Sequence, residues 1–243
     1  MIISLCDDAQ DVADLAAQRV ADLLHDSPRS VLGLPTGRTP ILLYDLLAEQ
    51  HAAGTLDFGQ VTTFNLDEFV GIGEDHDGSY RAYMRRYLFD RVNLPKGNGH
   101  VLDGLAADPD AECARFENQI AAAGGIDLMI LGLGTNGHIG FNEPDTSLRG
   151  RTHRVRLLEQ SRQANAGFFG GDPAQVPTEA MTMGMGTILK SRRILLLVTG
   201  AQKAPTVAAL LHGPLTTQLP ASFLQLHGEV ELICDTAAAS EIR

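Results

Sequence analysis

The sequence predicts a single-domain α/β fold: a Rossmann-like, doubly wound and mostly parallel sheet with helices on both faces. Short apolar-rich runs recur at 31–34, 61–66, 126–131, 193–199 and 230–234. Strands covered on both faces read as unbroken runs of this kind, without apolar–polar alternation. Helical patterns separate them, at about 41–50, 79–92, 110–123 and 204–211. Strand–helix alternation implies parallel pairing through crossover helices. A chain of 243 residues, 44% apolar, is long enough for one such domain over 1–243.

Each element has its own signal. The run at 31–34 stops at Pro35, and Pro40 then opens a helix, since proline suits the first helical turn. The run at 61–66 ends on the acidic pair Asp67 and Glu68. The 79–92 segment reads as an amphipathic helix rich in Arg and Tyr. The run IDLMIL at 126–131 is the clearest buried strand, and glycines follow it. RILLLVT at 193–199 leads into the 204–211 helix, and 230–234 reads as a last strand. Gly167 to Pro177 is a candidate mobile connection, within a lid expected around 150–180, or an ordinary surface loop.

Composition narrows the function classes. The net charge of −11 argues against a nucleic-acid partner, because phosphate backbones attract Lys and Arg. It leaves room for one small anion, which needs only a local cluster of donors. The cysteines, Cys6, Cys113 and Cys234, have neither CxxC nor metal-ligand spacing, so no disulfide framework and no structural metal is expected. The start, MIISLCDDAQ, lacks a basic segment and a long apolar run, so no signal peptide is read. No apolar run reaches the roughly 18 residues of a membrane span. A cytoplasmic location is expected.

In open parallel sheets, ligands bind beyond the carboxyl ends of the strands. Polar clusters lie after those ends at 36–39, 67–68, 136–143 and 202–203. Thr36, Gly37, Arg38 and Thr39 sit where backbone N–H groups and hydroxyls can seat a phosphate. The same residues also read as a plain turn with Thr39 capping the helix. Asp67 and Glu68 would point to opposite sides, one available as a general base and the other structural. Asn136, His138 and Glu143 stand in a glycine-rich loop. An imidazole oriented and tuned by a carboxylate can shuttle protons near neutral pH. Lys203 could bind an anion as a point charge, or be a solvated surface lysine.

The motifs LPTGRTP (34–40), FNLDEFVG (64–71), GLGTNGHIGFNEP (132–144), MTMGMGTIL (181–189), VTGAQKA (198–204) and SFLQLHG (222–228) occur in one order. The chain resembles the glucosamine-6-phosphate deaminases across nearly its whole length. GHIGFNEP is the most specific part. The related 6-phosphogluconolactonases share the fold and the phosphate turn, but their loop resembles GHTASLFP instead. The resemblance implies ring opening by His138 with Asn136 and Glu143 in support. Asp67 would then move a proton from C2 to C1, and hydrolysis of the imine would release ammonia. It implies no cofactor and no metal.

The chain departs from the family pattern in places. Asn136 stands where some members carry Asp. In SRQANAGFF (161–169), Gly167 stands where members with SRFF place a phosphate-binding Arg. Arg38, in a turn where many members have Gly or Ser, is the expected replacement. GRTHRVR (150–156) has His153 and Val155 where allosteric members have Arg and Lys. Those positions and the short C-terminus predict no effector activation and a monomer or small homo-oligomer.

Other readings stay open: galactosamine 6-phosphate as substrate, a 6-phosphogluconolactonase, or a non-catalytic sugar-phosphate binder. A repressor of that last kind needs a DNA-binding segment. The first thirty residues, with Arg19 and Arg29 against six Asp, do not resemble one.

Overall fold

The computed structural model describes residues 1–242, so Arg243 lies outside the described residues. In chain order the elements are β1 (Ile2–Cys6), α1 (Ala9–Asp26), β2 (Val31–Leu34), α2 (Pro40–Ala52), β3 (Thr62–Asn65), β4 (Asp67–Phe69) and α3 (Tyr80–Tyr87). There follow β5 (Gly99–His100), α4 (Pro109–Ala122), β6 (Leu128–Gly132), β7 (His153–Arg156), α5 (Glu159–Asn165), β8 (Glu179–Thr182), α6 (Met185–Ile188), β9 (Arg193–Val198), α7 (Ala204–His212) and β10 (Val230–Asp235).

The main sheet has seven strands in the order β1-β10-β9-β6-β2-β3-β5. All its pairings are parallel. Alternate residues of the central strands enter different cores. Met129 and Leu131 of β6, with Ile194, Leu196 and Val198 of β9, pack with α4 and α7. Leu128 and Ile130, with Leu195 and Leu197, pack with α1, α2 and α3 on the other face. This two-residue period, apolar on both sides, is why the strands read as continuous runs. The chain winds outward from β2 through β3 to β5, then returns to place β6 against β2 and continues to β9 and β10. The reversal sits between β2 and β6, where α/β sheets open a ligand crevice.

A second sheet, of order β4-β8-β7, is antiparallel and was not legible in the sequence. Its strands have three or four residues and mix charged with apolar side chains. The run expected over 61–66 therefore ends at Asn65, and Asp67 and Glu68 open β4. The candidate lid at 150–180 is built rather than looped. It contains β7, α5, short 3-10 turns and the start of β8. Leu157, Ala166, Phe169 and Val176 form a small core there with Phe69, Tyr80 and Phe141.

The expected 79–92 helix ends earlier, at Tyr87. Leu88 leaves helical geometry at φ −140° and is only 1% exposed, and a 3-10 turn over Phe89–Arg91 follows. Burying Leu88 in the core outweighs continuing the helix. β1 and α1 lie outside the runs and patterns expected from the sequence. α1 has clear local causes: Asp8 accepts from the N–H groups of Gln10 and Asp11, and Val12, Ala16, Val20 and Leu24 line its buried face. Among the described residues, no helix is long and apolar enough to cross a membrane.

Candidate active site

A cleft of about 500 Å³ opens at the carboxyl ends of β2 and β6. Thr36, Gly37, Arg38, Thr39, Asp67, His138 and Lys203 line it. The polar clusters expected after separate strands thus share one cavity. Asn136 and Glu143 stand behind His138 rather than on the cleft wall.

The turn after β2 is held rigid from beneath. Tyr44 donates its hydroxyl to the Pro35 carbonyl and Tyr83 donates to the Gly37 carbonyl, both at 2.6 Å. Gly37 sits at φ +100°, a conformation that glycine adopts without strain. Thr39 does not cap α2: its backbone is helical and its side chain makes no capping bond. The thirteen-residue α2 starts at the cleft, and no side chain caps its first turn. Among the described residues, no carboxylate pairs with Arg38. A Cβ added to Gly167 would lie 3.6 Å from Arg38 Nη2, so the guanidinium reaches over the bare backbone at 167. Lys203 is half-buried rather than solvated. Its Nζ donates to the Leu133 carbonyl at 2.6 Å, and burial lowers its pKa.

Asp67 and Glu68 separate as strand geometry requires. Both are buried, at 6% and 2% exposure. Glu68 turns to the start of α3 and accepts from Tyr80 N, Arg81 N, Phe69 N and Ser79 Oγ. Burial raises its pKa, and those donors oppose the rise. Asp67 turns to the cleft. Burial, with the neighbouring Glu68 charge, pushes its carboxyl up to about 8. Gly140, at φ +58°, lets the backbone pass Asp67: a Cβ there would lie 3.3 Å from Oδ2.

The loop after β6 holds a relay. Asn136 Oδ1 lies 2.6 Å from His138 Nδ1 and also accepts the His138 backbone N–H. Asn136 Nδ2 donates to Glu143 Oε2 at 2.9 Å. Each end of the amide therefore has a partner of fixed character: a backbone donor at the oxygen and a carboxylate at the nitrogen. In neutral His138 this puts the proton on Nδ1 and leaves Nε2 as an acceptor. The Glu143 carboxylate is 3.5 Å from Nδ1, so the amide, not the acid, is the imidazole's direct partner. The ring is thus oriented directly by the amide, with the carboxylate acting through it. Burial alone would raise the Glu143 pKa, but His138, Ser161 and Asn136 together hold it below the usual carboxylate range. Gly134 makes room for the imidazole, since a Cβ there would fall 2.3 Å from Nδ1.

The sequence reading missed Tyr80 and Asn165, which line the cleft, and Ser161. Ser161 Oγ donates to Glu143 Oε1. Tyr80 donates to Asn165 Oδ1 at 3.0 Å. Nothing local marks these residues, because each meets its partner across the antiparallel sheet or from α5. Among the described residues, no group of three or more His, Cys, Asp or Glu side chains is arranged to hold a metal ion.

The fold and cleft define a class: a doubly wound α/β protein with Arg38, Asp67, His138 and Lys203 gathered in one cleft at its topological switch point. The chain belongs to the glucosamine-6-phosphate isomerase/6-phosphogluconolactonase family, whose pattern it matches over residues 7–233. It is 47% identical over 242 residues to a glucosamine-6-phosphate deaminase of Hahella chejuensis, covering 100% of this chain and 92% of that one. A deaminase of Halothermothrix orenii is 48% identical over 231 residues, covering 95% of each chain. A solved structure of a monomeric glucosamine-6-phosphate deaminase superposes with TM-score 0.96 at 43% identity, over 99% of this chain and 100% of that chain. A 6-phosphogluconolactonase from Trypanosoma cruzi, at TM-score 0.79 and 20% identity, shares the fold.

Proposed function

We infer that the chain is a glucosamine-6-phosphate deaminase, converting glucosamine 6-phosphate and water to fructose 6-phosphate and ammonia. The observation that carries the reading is that Asp67 and His138 line one cleft with the turn residues 36–39. Relatives bearing that activity at 47–48% identity support the same reading.

The phosphate is seated at the start of α2 by backbone N–H groups, Thr36 and Thr39, with Arg38 supplying a charge-assisted contact and Lys203 a second positive charge. His138 Nε2 takes the proton of the O1 hydroxyl and returns it to the ring oxygen as the C1–O5 bond breaks. Asp67 removes the C2 proton of the open chain while the substrate's own ammonium group passes one to the C1 oxygen, giving an enolamine. Asp67 then delivers the proton to C1, leaving an iminium at C2. Water adds to C2 and ammonia departs. One positioned base of this kind contributes about 10²–10⁴-fold in rate.

The substrate is a free phosphorylated sugar, an anion that does not cross bilayers unaided, which supports a cytoplasmic location. The high likeness to a monomeric deaminase supports a monomer. His153 and Val155 on β7 give an effector phosphate no cationic pair, so the rate curve stays hyperbolic with or without N-acetylglucosamine 6-phosphate.

Ammonia release from glucosamine 6-phosphate tests the reading, with galactosamine 6-phosphate alongside and Asp67→Asn as control. Release that the substitution abolishes supports both the reaction and the base. Release from the galactosamine epimer alone changes the substrate and keeps the mechanism. No release from either overturns the reading.

A further inference from the structure

The relay behind His138 does not end at Glu143. Glu143 Oε2 is engaged by Asn136, and its other oxygen accepts the hydroxyl of Ser161, a residue 18 positions further on and only 4% exposed. Ser161 lies on α5, an element that belongs to a different part of the molecule from the loop after β6. α5 is stapled to its own segment: Arg162 donates to the Val176 and Pro173 carbonyls. Asn165, one turn along from Ser161, donates to the Ser161 carbonyl at 2.9 Å and accepts from Tyr80 on the cleft wall. The helix thus reaches the site through two side chains one turn apart, which share a face.

A carboxylate in van der Waals surroundings alone is free to rotate about its last torsion. Glu143 is not. With Oε1 held by Ser161, Oε2 is presented to the Asn136 amide, and that amide in turn fixes which nitrogen of His138 carries the proton. We propose that Ser161 is a positioning residue for the ring-opening step, holding the Glu143 carboxylate so that the Asn136–His138 pair is set only while α5 is seated over the cleft. The proposal rests on the deaminase reading and extends it to a residue that touches no substrate.

The consequence is specific to one stage of the reaction. Ring opening uses His138, whereas C2 deprotonation uses Asp67, which has no contact with Ser161. Losing the Ser161 hydroxyl therefore slows ring opening and leaves enolisation and phosphate binding in place.

An Asp67→Asn enzyme isolates the first stage, because it can open and reclose the ring without enolising the sugar. Exchange between the α and β anomers of glucosamine 6-phosphate, followed by NMR, then measures ring opening directly. The expected result is that Asp67→Asn accelerates exchange, Asp67→Asn/Ser161→Ala loses about tenfold of that acceleration, and Asp67→Asn/Ser161→Thr restores it. In the enzyme with Asp67 intact, Ser161→Ala lowers kcat about tenfold with KM within about twofold. Equal exchange with and without the Ser161 hydroxyl overturns the proposal and leaves the deaminase reading standing. No acceleration by Asp67→Asn itself removes the ring-opening role of His138, and the proposal falls with it. Melting temperatures of the Ala and Thr variants separate a folding defect from a positioning one.

Discussion

Asn136 Oδ1 lies 2.6 Å from His138 Nδ1, while the amide's other end donates to Glu143 at 2.9 Å. A neutral side chain thus stands between the imidazole and the acid, and it decides the imidazole's tautomer by hydrogen bonding alone. Asn136→Ala removes that decision. The expected loss is about 10²-fold in kcat, within the range of general acid–base catalysis, with little change in KM. Asn136→Asp keeps an acceptor for Nδ1 but faces Glu143 with a second carboxylate. It retains more activity than the Ala variant, and its pH profile differs from that of the parent. Steady-state kinetics across pH checks both.

Asp67 titrates at about 8 because burial and the Glu68 charge disfavour its ionised form. Only the carboxylate can take the C2 proton, so kcat/KM rises with pH and bends near that value. Stability runs the other way. An unfolded Asp titrates near about 4, so between there and about 8 the folded chain holds a proton that the unfolded chain has lost. Folding stability from this group is fully present below the unfolded value and is lost as pH rises through the window. Asp67→Asn removes the loss. Its stabilisation over the parent grows from about pH 5 to about pH 8, reaching on the order of a few kcal/mol. Urea unfolding at a series of pH values measures it, and a pH-independent difference refutes it.

Arg38 and Gly167 form a pair in which one side chain occupies the space the other leaves open. A charge-assisted contact to phosphate is worth about 1.5–3 kcal/mol, so Arg38→Ala raises KM by about 10–100-fold with kcat changed less. The double variant Arg38→Ala/Gly167→Arg returns a guanidinium to the cleft from the other side and recovers part of the loss. An unchanged KM in Arg38→Ala rules out its role on the phosphate.

Glu68 accepts at the start of α3 from two N–H groups of that helix, its own Phe69 N–H and the Ser79 hydroxyl. Glu68→Ala leaves those buried donors unpaired, at about 1–3 kcal/mol for a group so stranded. A chain of this size loses about 2–4 °C in Tm per kcal/mol. Glu68→Ala therefore lowers Tm, whereas Asp67→Asn, one residue away, does not. Differential scanning calorimetry of the two variants tests whether the adjacent acids divide their roles in this way.

The parts of the molecule legible in the sequence are those set by local pattern. The short apolar-rich runs that became β2, β6, β9 and β10 read as strands covered on both faces, and Pro40 reads as the start of a helix. Motif order in turn carried Asp67, His138 and the 36–39 turn. α1 carries equally clear local signals, Asp8 and its apolar spacing, outside the patterns expected above. The strands β4, β7 and β8 were not legible, because three or four mixed residues have no period long enough to detect.

By itself, then, the sequence determined a parallel α/β sheet and the residue types gathered at its carboxyl edge, since side-chain periodicity and turn chemistry act over a few neighbouring positions. Only the tertiary structure decided that Glu68 turns to the start of α3, that Arg38 reaches over Gly167, and that Ser161 closes the chain of contacts behind His138. Each joins residues from separate elements, and such contacts follow from how whole elements pack, which no local spacing encodes.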